Sequence, residues 1–181
     1  MKRRIFCALI ALMLTALPAL AEGGLISALS TPAPATPTPA PSGVEFTRGS
    51  LHITLPAGLE ILDDAALEGY EAAVQLDYPD TADTILVAAD MENGAVLILA
   101  EIKTDVDCLN AAQAAAEALI GNPEHAKERQ LGENRCAYFL CAIGQQAFRL
   151  YYLSDGERLL IVSSSGLRRN EVEDMLTGMR F

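Results

Sequence analysis

A proline-rich run near the N-terminus limits what this chain can fold into. Residues 31–41 alternate Pro with Ala and Thr. Proline lacks the backbone N–H and favours the extended polyproline conformation, so this run forms a semi-rigid spacer and cannot build a core. We therefore expect one globular domain at residues 43–181. A domain of that length buries roughly two-thirds of its unfolded surface.

The segment before the spacer has the pattern of an export signal. Residues 2–4 are basic, residues 5–20 form an apolar run, and Ala19-Leu20-Ala21 offers small residues at a cleavage site. This pattern predicts a signal peptide at 1–21 and a disordered linker at 22–42, with a secreted or extracytoplasmic location and no membrane insertion after cleavage. The alternative is an uncleaved signal anchor, although the apolar run is shorter than the ~20 residues of a spanning helix.

The charge of the chain is negative and unevenly distributed. Removing residues 1–21 leaves ten basic residues against 24 acidic ones, a net charge of −14. Residues 43–124 hold 16 acidic and two basic residues, whereas residues 125–181 hold seven acidic and eight basic ones. A surface of this charge repels nucleic acid. Two interpretations stay open: a solvated acidic face, or a bipolar domain whose acidic side meets a cationic partner or Ca²⁺.

Alternation of apolar and polar residues predicts a strand-rich domain. The predicted strands are 51–55, 59–62, 74–78, 85–89, 95–102, 126–131, 135–143, 147–153 and 158–164. Asn93-Gly94 indicates a two-residue type I′ hairpin turn. Residues 95–100 are apolar on both faces, which is typical of a central strand covered on both sides.

Two main helices complete the prediction. Asp107 is the expected N-cap of a helix over about 107–120, with an apolar face containing Ala112 and Ala116. A last helix is expected over about 170–179, with Glu173 as its capping-box partner. The predicted fold class is α+β, with a mostly antiparallel sheet of six to eight strands in an α/β/α-type sandwich.

Three cysteines remain beyond the signal segment: Cys108, Cys136 and Cys141. In one continuous strand Cys136 and Cys141 would lie ~16 Å apart on opposite faces, too far for a disulfide. Either one of them pairs with Cys108, or all three are small buried apolar residues. Cys108 at a helix N-terminus is also a candidate reactive thiol, because that position favours thiolate.

The candidates for chemistry are few. Asp77, Asp80 and Asp83 are weak candidate Ca²⁺ ligands, since hard carboxylate oxygens suit that ion, but their spacing is not the Ca²⁺-loop pattern. His52 and His125 stand outside any motif spacing with Ser or Cys, and no glycine-rich phosphate loop occurs. No catalytic residue and no cofactor is predicted, and Ca²⁺ is the one ion that the residues suggest.

The order of elements resembles the PsbP-like and DcrB-like families of exported α/β/α domains. The resemblance rests on residues 51–61, which look like the families' opening strand followed by Pro-x-Gly, and on residues 158–166 with the terminal helix and closing Met-Arg-Phe. It implies an accessory protein without catalysis. The basic surface by which photosynthetic members bind a membrane complex does not carry over to this acidic chain.

These patterns favour a secreted, non-catalytic binding or accessory domain held on a proline-rich tether. Its expected partner is a protein or cell-envelope component, with a cationic one favoured by the charge. Two alternatives remain: an extracytoplasmic hydrolase or redox protein whose site is assembled from distant residues, and a Ca²⁺-dependent structural module.

Overall fold

The structure is a computed structural model that describes residues 43–63, 82–143 and 146–181 and the single positions 65 and 68. Its centre is a seven-stranded antiparallel sheet of order β3-β4-β5-β9-β8-β7-β6, and β1 and β2 form a separate hairpin. The strands are β1 Glu45–Arg48, β2 Leu51–Thr54, β3 Glu60–Ile61, β4 Ala82–Asp90, β5 Ala95–Lys103, β6 Lys127–Leu131, β7 Asn134–Ile143, β8 Gln146–Ser154 and β9 Arg158–Ser165. The helices are α1 Cys108–Ile120 and α2 Arg169–Gly178, and a 3₁₀ turn spans Pro123–His125.

Each face of the sheet is covered by a different layer. Helix α1 packs on β7 and β8 through small side chains, among them Ala112 and Ala116. The opposite face is covered by α2 and the β1–β2 hairpin. This arrangement confirms the predicted α+β class and its sandwich of layers.

Strand alternation decides which residues reach each layer. In β8, Phe148, Leu150 and Tyr152 face α1, and Tyr151 faces α2. Strand β5 lies between β4 and β9 with both of its faces buried, which confirms its expected central position.

The helix termini follow different rules. Asp107 caps α1 as predicted, because its Oδ2 accepts hydrogen bonds from the Leu109 N–H at 3.0 Å and the Asn110 N–H at 3.3 Å. Helix α2 begins within one residue of its predicted start, but its predicted capping box is wrong: Arg168 is the N-cap residue, and Glu171, not Glu173, accepts the Arg168 N–H at 2.7 Å. Arg168 gives no sequence signal because arginine has no acceptor atom with which to cap a helix.

The β4–β5 turn also differs from its prediction. The strands pair through Asp90 and Ala95, so the turn has four residues rather than two. Both oxygens of Asp90 hold it, since Oδ1 accepts the Glu92 and Asn93 N–H groups at 2.9 Å and Oδ2 accepts the Asn93 amide at 2.7 Å. These bonds lower the pKa of Asp90, the Asn93 side chain contributing most. Strand β1 was not predicted, and the strand predicted at 74–78 lies outside the described residues.

Candidate binding surface

The structure keeps the two histidines apart from the cysteines. His52 lies on the exposed side of β2, with its Nδ1 3.2 Å from Thr47 Oγ1, and His125 is exposed in the 3₁₀ turn after α1. A groove of about 430 Å³ runs beside the hairpin and includes His52, Glu45 and Arg180 in its lining. Cys108, Cys136 and Cys141 are buried elsewhere, so no thiol meets an imidazole in this groove.

Of the three candidate Ca²⁺ ligands, only Asp83 lies within the described residues. Asp83 is paired with Arg48, whose Nη2 lies 2.8 Å from Asp83 Oδ2. The described residues contain no group of three or more His, Cys, Asp or Glu side chains placed to hold a metal ion. Asp77 and Asp80 lie outside the described residues.

The three thiols are free and buried. Cys136 and Cys141 lie on opposite faces of the sheet, as their spacing predicts. Burial raises the pKa of Cys136 to about 12 and that of Cys141 to about 11. Burial, and then the Asp107 carboxylate, also raise the pKa of Cys108, which opposes the thiolate expected at a helix N-terminus. All three behave as buried apolar residues.

Among the described residues, no layer covers one part of the sheet face beside α2. Strand β7 places Cys136, Tyr138, Leu140 and Ala142 on this face, and burial decreases along the strand. Leu140 is 56 % exposed, and Ala142 and its cross-strand partner Ala147 are also exposed. We call this area, with Tyr138 and the basic residues around it, the Leu140 surface.

The basic residues around this area come from three elements. They are Lys127 and Arg129 of β6, Arg149 of β8, and Arg168 and Arg169 at the start of α2. Arg149 on β8 lies directly opposite Leu140 on β7, and Lys127 on β6 lies opposite Tyr138 on β7. The Leu140 surface is therefore an apolar strip with a basic rim.

A buried carboxylate fixes one side of this rim. Glu173 is 9 % exposed and accepts a hydrogen bond from Arg169 Nε at 2.7 Å. It also forms an ion pair with Arg129, whose Nη2 lies 3.1 Å from Glu173 Oε2. The Arg169 guanidinium also lies 5.4 Å from the ring centroid of Tyr138, which in turn stacks on Tyr151 at 5.6 Å. These contacts hold arginine and tyrosine side chains in place before any partner arrives, which lowers the ordering cost of binding.

The sheet order turns the uneven charge of the sequence into a gradient across the fold. Strands β3, β4 and β5 carry four acidic residues and one basic residue, whereas β6, β7 and β8 carry one acidic and four basic ones. Because β9 separates the two groups, the strands of the molecule are acidic at one end of the sheet and basic at the other. The Leu140 surface lies at the basic end.

Comparison with known proteins adds only a fold relationship. No family model and no curated protein matches the chain. A crystal structure of a protein from Bacteroides thetaiotaomicron VPI-5482 superposes with a TM-score of 0.50 at 11 % identity, over 76 % of this chain. The chain spans 48 % of that protein, and a likeness at this identity concerns the fold alone. Among the described residues, no helix is long and apolar enough to cross a membrane.

Proposed function

We propose that residues 43–181 form a secreted, non-catalytic binding or accessory domain that docks an acidic segment of a partner protein on the Leu140 surface. The single observation that carries this proposal is the exposed Leu140 in the middle of a sheet face flanked by Tyr138 and fixed arginines. Aromatic and arginine side chains are enriched in the cores of protein interfaces.

The basic rim supports an acidic partner. Five cations surround the strip, and Glu173, the carboxylate buried among them, is already shared by Arg129 and Arg169. An acidic segment on this surface would meet a positive potential in a molecule that is otherwise negative. The cationic partner predicted from the overall charge remains a prediction for the opposite, acidic end of the sheet.

A matched pair of variants tests the docking surface. Leu140→Glu places a negative charge on the strip, where it should repel the acidic segment of the partner. Met91→Glu is the control, because it introduces the same charge at a residue that is 55 % exposed in the β4–β5 turn, away from the strip. The partner recovered with the immobilised full chain should fall by about tenfold or more for Leu140→Glu, and should not change for Met91→Glu. Equal recovery with both variants would reject the Leu140 surface as the docking site.

A further inference from the structure

The helices α1 and α2 start in opposite ways. Helix α1 has an aspartate at its N-cap and no basic residue beside it, whereas α2 has Arg168 at its N-cap, which makes no side-chain cap hydrogen bond, followed by Arg169. A helix N-terminus carries about half a positive charge and unpaired N–H groups. Glu173 pairs with Arg169, and Glu171 accepts the Arg168 N–H. Among the described residues, the Arg168 guanidinium is therefore the cation at this helix start for which no carboxylate partner is present.

A buried polar group lies on the α2 face of β9, four residues before the N-cap of α2. Ser164 is 1 % exposed, and its hydroxyl has no hydrogen-bond partner among the described residues. It stands directly across from Arg149 on the α2 face, and Arg149 Nη1 donates to the Leu167 carbonyl oxygen at 2.6 Å, one residue before the N-cap. In the same part of the structure, the Nε of Arg149 is also buried, with no partner from any described residue. Unpaired buried polar groups cost free energy, which an acceptor at this position would recover.

We infer that the start of α2 is an oxyanion site, formed by Arg149, Arg168, Ser164 and the first N–H groups of the helix, that takes a carboxylate of the partner's acidic segment. Arginine binds carboxylates through paired hydrogen bonds, and helix N-termini favour anions through the dipole and free N–H groups. The inference rests on the proposed function, since it names the group of the partner that the Leu140 surface would bind.

The test is a titration of the ¹⁵N-labelled full chain at low ionic strength with a six-residue glutamate peptide and, separately, with inorganic phosphate. The peptide should shift the amide signals of residues 168–171 to saturation. Arg149→Gln should weaken its binding by about tenfold, because a charged hydrogen-bond donor is lost. Arg135→Gln, an exposed arginine on the same strand pair, should change the affinity less than twofold.

Ser164→Ala separates this site from a purely structural role and keeps the test valid should Arg149→Gln fail to fold. Losing an unpaired hydroxyl should leave the urea midpoint unchanged or higher, whereas peptide affinity should fall by about two- to fivefold. The inference is overturned if the glutamate peptide does not shift the amide signals of residues 168–171. It is also overturned if only phosphate shifts these signals, or if Arg135→Gln weakens peptide binding as much as Arg149→Gln does. Peptide binding here with no effect of Leu140→Glu on partner recovery would instead reject the proposed function.

Discussion

Glu173 shows how one carboxylate joins a helix to a sheet. It is nearly buried, and it pairs with one arginine of α2 and one of β6, both of which are partly exposed. Glu173→Gln should lower the free energy of unfolding by about 1–2 kcal/mol, less than the 3–5 kcal/mol of a fully buried pair, because water can solvate both arginines. Asp174→Asn, its exposed neighbour, should change the urea midpoint little, and an equal loss in both variants would contradict this role.

The buried thiols make stability depend on alkaline pH. Their folded pKa values, about 12 for Cys136 and about 11 for Cys141, lie above the ordinary value near 9. The folded state therefore keeps protons that the unfolded state loses, so this contribution is complete below pH ~9 and is lost as the pH rises through the folded pKa values. Between pH ~9 and ~11, each thiol should reduce the free energy of unfolding by about 1.4 kcal/mol per pH unit.

Urea unfolding from pH 8 to 11 measures how the free energy of unfolding changes with pH. Cys141→Ala should reduce this slope by about 1.4 kcal/mol per pH unit, the contribution of one thiol. Iodoacetamide at pH 8 should modify the thiols rapidly only after denaturation. A native protein that reacts quickly at Cys108 would revive the redox alternative and contradict the account of three inert thiols.

At the scale of elements, the N-cap of α1 offers the clearest stability test. Asp107→Ala should cost about 1 kcal/mol, because two N–H groups at the start of α1 lose their acceptor. Asp105→Ala changes an exposed carboxylate two residues earlier, outside the helix, and should leave the urea midpoint nearly unchanged. The same loss in both variants would show that charge, and not capping, determines the effect.

The sequence predicts the elements of the fold better than their ends. Strands such as β5 and β8 are recognisable because alternation fixes which residues face each layer, and Asp107 is a common capping residue. The capping box of α2 is assigned to the wrong glutamate because Arg168 carries no capping signal. The β4–β5 turn is misassigned because Asp90, three residues before Asn93 of the expected motif, controls it. Strand β1 is missed because its four residues show little apolar alternation.

The candidate surface is the part that sequence could not supply. Leu140 fits the apolar alternation of β7 as a core residue would. Nothing in the sequence of the strand indicates where α2, which is distant in the chain, stops covering the sheet. Its basic rim combines residues up to 42 positions apart in the chain, which only the strand order and the position of α2 bring together. The one available signal was the excess of basic residues after 125, which locates the rim in the C-terminal half.

At the scale of the whole molecule, the charge gradient across the sheet predicts how binding responds to salt. An acidic segment on the basic end should be held partly by screened electrostatic attraction, so partner binding should weaken as ionic strength rises from ~0.1 M, where the Debye length is ~10 Å, toward ~1 M, where it is ~3 Å. Affinity measured across this range would show it. Salt-independent binding would mean that the apolar strip alone holds the partner.

The most direct test of the Leu140 surface uses a photo-crosslinking amino acid placed at position 140 or at position 91 of the full chain, exposed to the same envelope preparation. The two positions have matched exposure, 56 % and 55 %. A partner adduct should form from position 140, with the modified peptide of the partner rich in Asp and Glu, and should be absent from position 91. Identical adducts from both positions, or adducts from position 91 alone, would contradict the account.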